Sequence, residues 1–128
     1  MLYVKTKLGP SKIHGIGLFA AERISKSTVI WRFTPSFDLQ YSPEEFKKLP
    51  KRVRDYLESN AYVSKRGFWI MPSDNAKFFN HCASPNTRTA YEEDEEEVVT
   101  RALRTIYLGE ELTEDYRSFE TRWDGKGL

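Results

Sequence analysis

Hydrophobic and polar positions along this chain change period several times, and the changes mark its elements. The N-terminal third alternates over short stretches punctuated by Gly and Pro, which predicts strands at residues 3–7, 17–20 and 29–33. Ser42-Pro43-Glu44-Glu45 is the clearest helix start. Ser42 can cap, Pro43 suits the first helical position, and Glu45 completes a capping box. Pro50 interrupts that helix because proline lacks the N–H that the next turn needs. A second helical segment at residues 51–59 carries Val53, Tyr56 and Leu57 on one face. Residues 68–71 read as a strand and residues 75–86 as loop-rich. Residues 87–91 and 98–103 read as a hairpin with an acidic run at its tip. Many short strands with one modest helical insert predict an α+β, β-rich domain.

Length narrows this further. At 128 residues and 15.0 kDa the chain is about one domain. That mass predicts a folded surface of roughly 7,000 Å² against roughly 22,000 Å² extended, enough burial for one core without staples. The single cysteine, Cys82, excludes a disulfide framework within the chain and a multi-cysteine zinc cluster, and fits a reducing compartment. No apolar run approaches the ~20 residues of a membrane span. Lys5 and Lys7 lead into Gly9 and Pro10 rather than an apolar stretch, so no signal peptide is expected. Aromatic residues at 14% argue for a packed core and a stacking pocket.

The net charge of +1 hides an uneven distribution. Glu92, Glu93, Asp94, Glu95, Glu96 and Glu97 form one run; without those six the remaining 13 acids face 20 Lys and Arg, a net of +7. Lys47, Lys48, Lys51, Arg52 and Arg54 lie close together in this basic remainder. Such runs are ordinarily a solvated helix face and a solvated loop tip. A nucleic-acid contact is the alternative for the basic group, and steering of a basic partner for the acidic one.

Three motifs carry candidate chemistry. In His14-Gly15-Ile16-Gly17-Leu18-Phe19-Ala20, two glycines around one residue allow a positive φ or a close backbone approach. The third glycine of a dinucleotide fingerprint and the Gly-Lys-Ser/Thr of a phosphate loop are both missing. In Phe78-Phe79-Asn80-His81-Cys82-Ala83-Ser84-Pro85-Asn86, Asn and His offer hydrogen bonds to a polar ligand, and Pro-Asn suits a tight turn. Adjacent His81 and Cys82 make a poor nucleophile pair because neighbouring side chains seldom converge on one point. Gly109-Glu110-Glu111-Leu112-Thr113-Glu114-Asp115-Tyr116 reads as a turn and a short strand ending in tyrosine.

In this order and spacing the motifs resemble the SET domain of protein lysine methyltransferases, from about residue 3 to about residue 119. The resemblance implies one SET domain over residues 1–128, with a knot-like crossing of the last two motifs and residues 120–128 as a lid or tail. It implies S-adenosylmethionine bound on one face, a substrate lysine entering from the other, and S-adenosylhomocysteine as product, with no metal. Carried over by motif, Gly15, Ile16 and Gly17 would lie against the cofactor's methionine moiety. Asn80 and His81 would position the cofactor. Tyr116 aligns with the family's catalytic tyrosine, and Tyr62 with a tyrosine lining the cofactor and lysine sites. Phe119 or Trp123 would cover the adenine or wall the lysine channel. Methyl transfer needs a neutral amine held in line, and an apolar aromatic channel lowers the lysine pKa.

Several positions depart from the family pattern. Cys82 and Ala83 stand where Ser and Cys are usual, and no later cysteine exists for a zinc-binding C-terminal module. Cys82 is expected to be a small buried side chain. Lys77 stands where arginine is common. Glu114 occupies the channel position usually held by Tyr or Phe, where a carboxylate would favour the ammonium form. It would either point into the channel and bind the lysine, changing methyl count or rate, or swing to solvent and leave a roomier site; the second is the expectation.

The implied partner is a lysine-bearing protein, such as a basic histone-like tail, with no membrane and no nucleic-acid substrate. A domain this small could complete its channel with a second copy. A stand-alone form resembles those of bacteria, archaea and large viruses, which points to a cytoplasmic protein or one delivered into a host cell. The rivals are a degenerate SET domain that binds without catalysis and a basic nucleic-acid-binding module.

Overall fold

The computed structural model describes residues 1–122. In chain order the described strands are β1 (Thr6–Pro10), β2 (Ile16–Ala20), β3 (Val29–Arg32), β4 (Leu39–Tyr41), β5 (Tyr62–Val63), β6 (Trp69–Met71), β7 (Asn80–His81), β8 (Thr87–Tyr91), β9 (Val98–Ala102) and β10 (Thr113–Glu114). Two helices, α1 (Pro43–Lys47) and α2 (Lys51–Asn60), sit between β4 and β5.

The strands form four small sheets. β1 and β2 make an antiparallel hairpin with Thr6 opposite Ala20. β9 lies between β3 and β8, antiparallel to both. β6 lies between β4 and β5 in the same way. β7 and β10 pair in parallel, with Thr113 opposite Asn80 and Glu114 opposite His81. Two residues of parallel ladder are weak alone, and Asn86 reinforces them. Its N–H donates to Thr113 Oγ1 at 3.1 Å, its Oδ1 accepts from Thr113 N–H at 3.0 Å, and its Nδ2 donates to the Glu111 carbonyl at 2.8 Å.

The first strand begins later than expected, at Thr6 rather than Tyr3. Leu2 and Tyr3 instead border β3: Tyr3 N–H donates to the Ile30 carbonyl at 2.8 Å, and Leu2 bridges Trp31. β4, β5, β7 and β10 are two or three residues long, too short for alternation to announce them. The helix start is as read: Glu45 N–H donates to Ser42 Oγ at 3.1 Å, and the Glu45 carboxylate accepts from Ser42 N–H at 2.8 Å. Leu57 is buried and Val53 packs beside it, but Tyr56 stays about half exposed, at 48%.

The main core joins Leu18, Ile30, Trp31, Ile70, Val98, Ile106 and Leu112 from β2, β3, β6, β9 and the following loops. A satellite cluster of Leu57, Ala61 and Met71 anchors α2, flanked by Phe46 stacked on Trp69 with ring centroids 3.9 Å apart. Among the described residues no helix is long and apolar enough to cross a membrane.

The acidic run is divided by the hairpin. Glu93, Asp94 and Glu96 are exposed. Glu92 pairs with Arg101 at 2.7 Å and Glu95 with Arg32 at 2.8 Å. Glu97 departs from the expected solvated tip: it lies immediately before β9 and is buried.

Candidate functional site

A cleft of about 940 Å³ opens between the turn before β2, the end of α2 and two 3-10 turns at Asn75–Phe78 and Tyr116–Ser118. Behind it lies a chamber of about 40 Å³ bordered by Trp31, Thr89, Val98 and Thr100. Tyr62, Phe79, Glu114 and Phe119 line both spaces and form the partition between them.

The glycine motif supplies one rim. Gly15 holds φ +48°, and its carbonyl accepts from Ser11 N–H at 2.8 Å, closing a tight turn. Gly17 answers a packing demand. A Cβ there would lie 2.5 Å from Glu111 Oε2 and 3.0 Å from Ser11 Cβ. The Glu111 carboxylate fills that space and accepts from Ser11 Oγ at 2.8 Å and Asn80 Nδ2 at 2.9 Å. Asn80 Nδ2 also donates to the carbonyls of His14 at 3.1 Å and Ile16 at 3.3 Å. Asn80 and Glu111 therefore stitch all three motifs together. Glu111 escaped the sequence reading because its partners are 31 and 100 residues away.

His81 and Tyr116 meet where β7 and β10 end. Tyr116 N–H donates to His81 Nδ1 at 3.1 Å, and the ring centroids are 5.2 Å apart. The Tyr116 hydroxyl donates to the Phe79 carbonyl at 2.5 Å. Burial, then the nearby Glu114 carboxyl, pushes that phenol further above its ordinary range, so it remains a donor and is unsuited to abstracting protons. The Arg117 guanidinium beside Asp115 holds that carboxyl below the usual carboxylate range.

Tyr62 forms the inner wall. It is buried, its ring meets Phe119 edge-on at 5.2 Å, and its hydroxyl donates to Glu97 Oε1 at 2.9 Å. Glu97 Oε2 accepts from Arg66 Nη2 at 2.7 Å and Nε at 3.0 Å. Burial, with the Glu97 charge adding to it, drives the Tyr62 phenol well above its ordinary range. A residue of the acidic run thus belongs to the site's second layer.

Glu114 does not swing to solvent. It is 9% exposed, and its carboxylate accepts from Thr89 Oγ1 at 2.9 Å inside the domain. The position of β10 decides this: Leu112, Thr113 and Glu114 are all buried, and β10 contacts both β7 and β8. Burial raises the carboxyl from 4.5 to about 7, against a smaller lowering by Thr89.

Phe119 is buried against Tyr62 and Tyr116, with its ring 6.0 Å from that of Tyr116. Trp123 lies outside the described residues. Residues 120–122 follow the rim: Val63 N–H donates to Glu120 Oε2 at 2.7 Å, and Arg122 pairs with Glu120. Lys77 reaches Tyr56 across the rim, Nζ to hydroxyl 3.1 Å. Cys82 is half-buried rather than buried, and its N–H donates to the Glu114 carbonyl at 2.9 Å. Among the described residues no group of three or more His, Cys, Asp or Glu is placed to hold a metal ion.

The chain is 32% identical over 125 residues to the histone-lysine N-methyltransferase trr of Drosophila melanogaster, covering 86% of this chain and 5% of that protein. It is 33% identical over 126 residues to the H3 lysine-4 specific histone-lysine N-methyltransferase of Schizosaccharomyces pombe, covering 85% and 12%. The chain thus spans only a small part of the curated relatives it matches. Among solved structures, the Chaetomium thermophilum Polycomb Repressive Complex 2 bound to GSK126 shares the fold, with TM-score 0.66 and 24% identity over 92% of this chain and 16% of that one. A ctPRC2 structure in an autoinhibited conformation bound to S-adenosylmethionine aligns with TM-score 0.64 and 24% identity over 91% and 16%. The model of the SET domain matches residues 15–117, which takes in the three motifs except His14, together with Tyr62 and Tyr116, and the chain belongs to the SET domain family.

Proposed function

We propose that this domain transfers a methyl group from S-adenosylmethionine to the side-chain amine of a protein lysine. The observation that carries the reading is the parallel β7–β10 pairing, which sets Asn80, His81 and Tyr116 on one cleft with the Gly15-Ile16-Gly17 turn. The cleft fits that cofactor. Its volume of about 940 Å³ is at the upper end of small-molecule sites. Its rim offers the main chain of His14, Gly15 and Ile16, its far wall aromatic rings, and its floor a carboxyl group suited to a cationic ligand. When bound, S-adenosylmethionine supplies a methyl group activated on a sulfonium.

The chain's residues would hold and orient. The Gly15 turn and His81 would hold the cofactor, with Asn80 and Glu111 fixing the turn. Tyr62, Phe79 and Phe119 would exclude water from the lysine, which disfavours its ammonium form. Tyr116, its phenol held protonated, would orient the reacting groups. The protein substrate would be basic and histone-like, since the named relatives act on histones and three exposed acids crown the β8–β9 hairpin.

The test is transfer of label from S-adenosylmethionine to histones and cell lysate, with Tyr116→Phe alongside. Label in a protein band, lost in the variant while cofactor binding persists by calorimetry, is the expected result. Cofactor binding without label on any protein would favour a binding-only domain. Absence of both would overturn the reading.

A further inference from the structure

Glu114 is a buried carboxyl on the wall shared by the cleft and the inner chamber. A carboxylate has about four acceptor sites, and the Thr89 hydroxyl fills one of them at 2.9 Å. Thr89 Oγ1 in turn lies 2.9 Å from Thr100 Oγ1, so two hydroxyls back the group from β8 and β9. Among the described residues no cation pairs with it, and burial rather than any charge governs its proton affinity. The same chamber is bordered by Trp31, whose buried indole N–H has no hydrogen-bond partner. Its remaining borders are largely aromatic and aliphatic: Tyr62, Phe79, Phe119 and Val98. An unpaired carboxylate in such surroundings is costly, and an arriving ammonium would relieve the cost.

We propose that Glu114 receives the proton of the target lysine, a role that rests on the methyltransferase reading above. The ammonium N–H bond breaks, its electron pair stays on nitrogen, and an O–H bond forms at the Glu114 carboxylate. A charged pair becomes a neutral acid and a neutral amine. In water the ion pair would win by several pKa units. In a desolvated aromatic chamber the penalty on both charges favours the neutral pair. Attraction to the carboxylate, which in water opposes deprotonation, here brings the donor to its acceptor.

The other titratable groups facing Glu114 do not take that part. The Tyr62 and Tyr116 phenols are both pushed up by burial. Glu97, behind Tyr62, is paired with Arg66. His81, opposite on β7, accepts the Tyr116 N–H through Nδ1.

The test has two arms. In the first, protein carrying carboxyl-labelled glutamate is titrated by carbon NMR, with S-adenosylhomocysteine present. A signal missing from both Glu114→Gln and Glu114→Asp identifies the group. It is expected to titrate near 7 alone. With a lysine-bearing histone H3 tail peptide it should stay protonated to clearly higher pH. The same peptide with norleucine for lysine should have no such effect. In the second arm, kcat/KM is followed against pH. Glu114→Gln, which retains the Thr89 contact, should lose the acid limb and fall about tenfold or more at pH 8. A signal indifferent to the lysine peptide, or a Gln variant with an unchanged rate and acid limb, would overturn the proposal. A signal that responds while the wild type methylates nothing would instead overturn the methyltransferase reading and leave the amine site standing.

Discussion

Replacing Glu97 by alanine tests whether a residue drawn from an acidic hairpin run supports the cleft wall. Glu97 contributes a fully buried side chain, while Arg66 is 33% exposed. Removing one partner of a buried pair costs about 3–5 kcal/mol. Arg66 can rehydrate, which places the change near the lower bound. About 1–2 kcal/mol of it is the Tyr62 hydroxyl left buried without a partner. We therefore expect about 3 kcal/mol, or roughly 12 °C in Tm for a domain of this size. Tyr62→Phe alone should cost about 1 kcal/mol, and the double variant should fall short of the sum by about the same amount. Urea and thermal melts of the four proteins measure the cycle. A Glu97→Ala shift below about 2 °C, as for a substitution on a solvated tip, would refute the reasoning.

Other consequences can be checked independently. Glu114 binds its proton more tightly folded than unfolded, so its contribution to stability is fully present below about 4.5 and lost as pH rises to about 7. Relative to wild type, Glu114→Gln should gain roughly 3 kcal/mol between pH 4.5 and pH 8 in urea melts; a flat difference would mean the carboxyl is not desolvated. Gly17→Ala should displace the Glu111 carboxylate from Asn80 and weaken S-adenosylhomocysteine binding by about 1–2 kcal/mol in calorimetry. In a Glu111→Ala background the same substitution should cost clearly less, since only the Ser11 Cβ contact remains, and an equal cost in both would dismiss the clamp. Neutralising exposed Glu93, Asp94 and Glu96 together should raise KM for a basic peptide at low salt, with the effect fading at high salt. An unchanged KM at low salt would leave these acids as a solvated tip.

The elements legible in the sequence are those governed by neighbours a few residues apart. The Ser42 capping box, the Pro50 break and the β8–β9 hairpin each depend on contacts within about one turn or one tight loop. The Gly15 turn likewise needed only its own positive φ. The three motifs identified the family because residue identity at a spacing survives in sequence even when its geometry does not.

Side-chain direction was not legible where a distant element sets it. Glu114 points inward because β10 contacts both β7 and β8, and the supporting hydroxyl of Thr89 is 25 residues away. Glu97 turns inward because Tyr62 and Arg66, more than 30 residues upstream, supply its partners. In both cases charge patterning alone favours solvent, since an isolated carboxylate prefers water. The sequence by itself determined the local turns, the helical insert, the β-rich class and the identity of the motif residues. The tertiary structure alone decided the parallel β7–β10 contact, the Glu111 clamp and the burial of Glu97 and Glu114. Pairings across 25 to 100 residues leave no periodic trace in the chain, and only packing makes burying those charges pay.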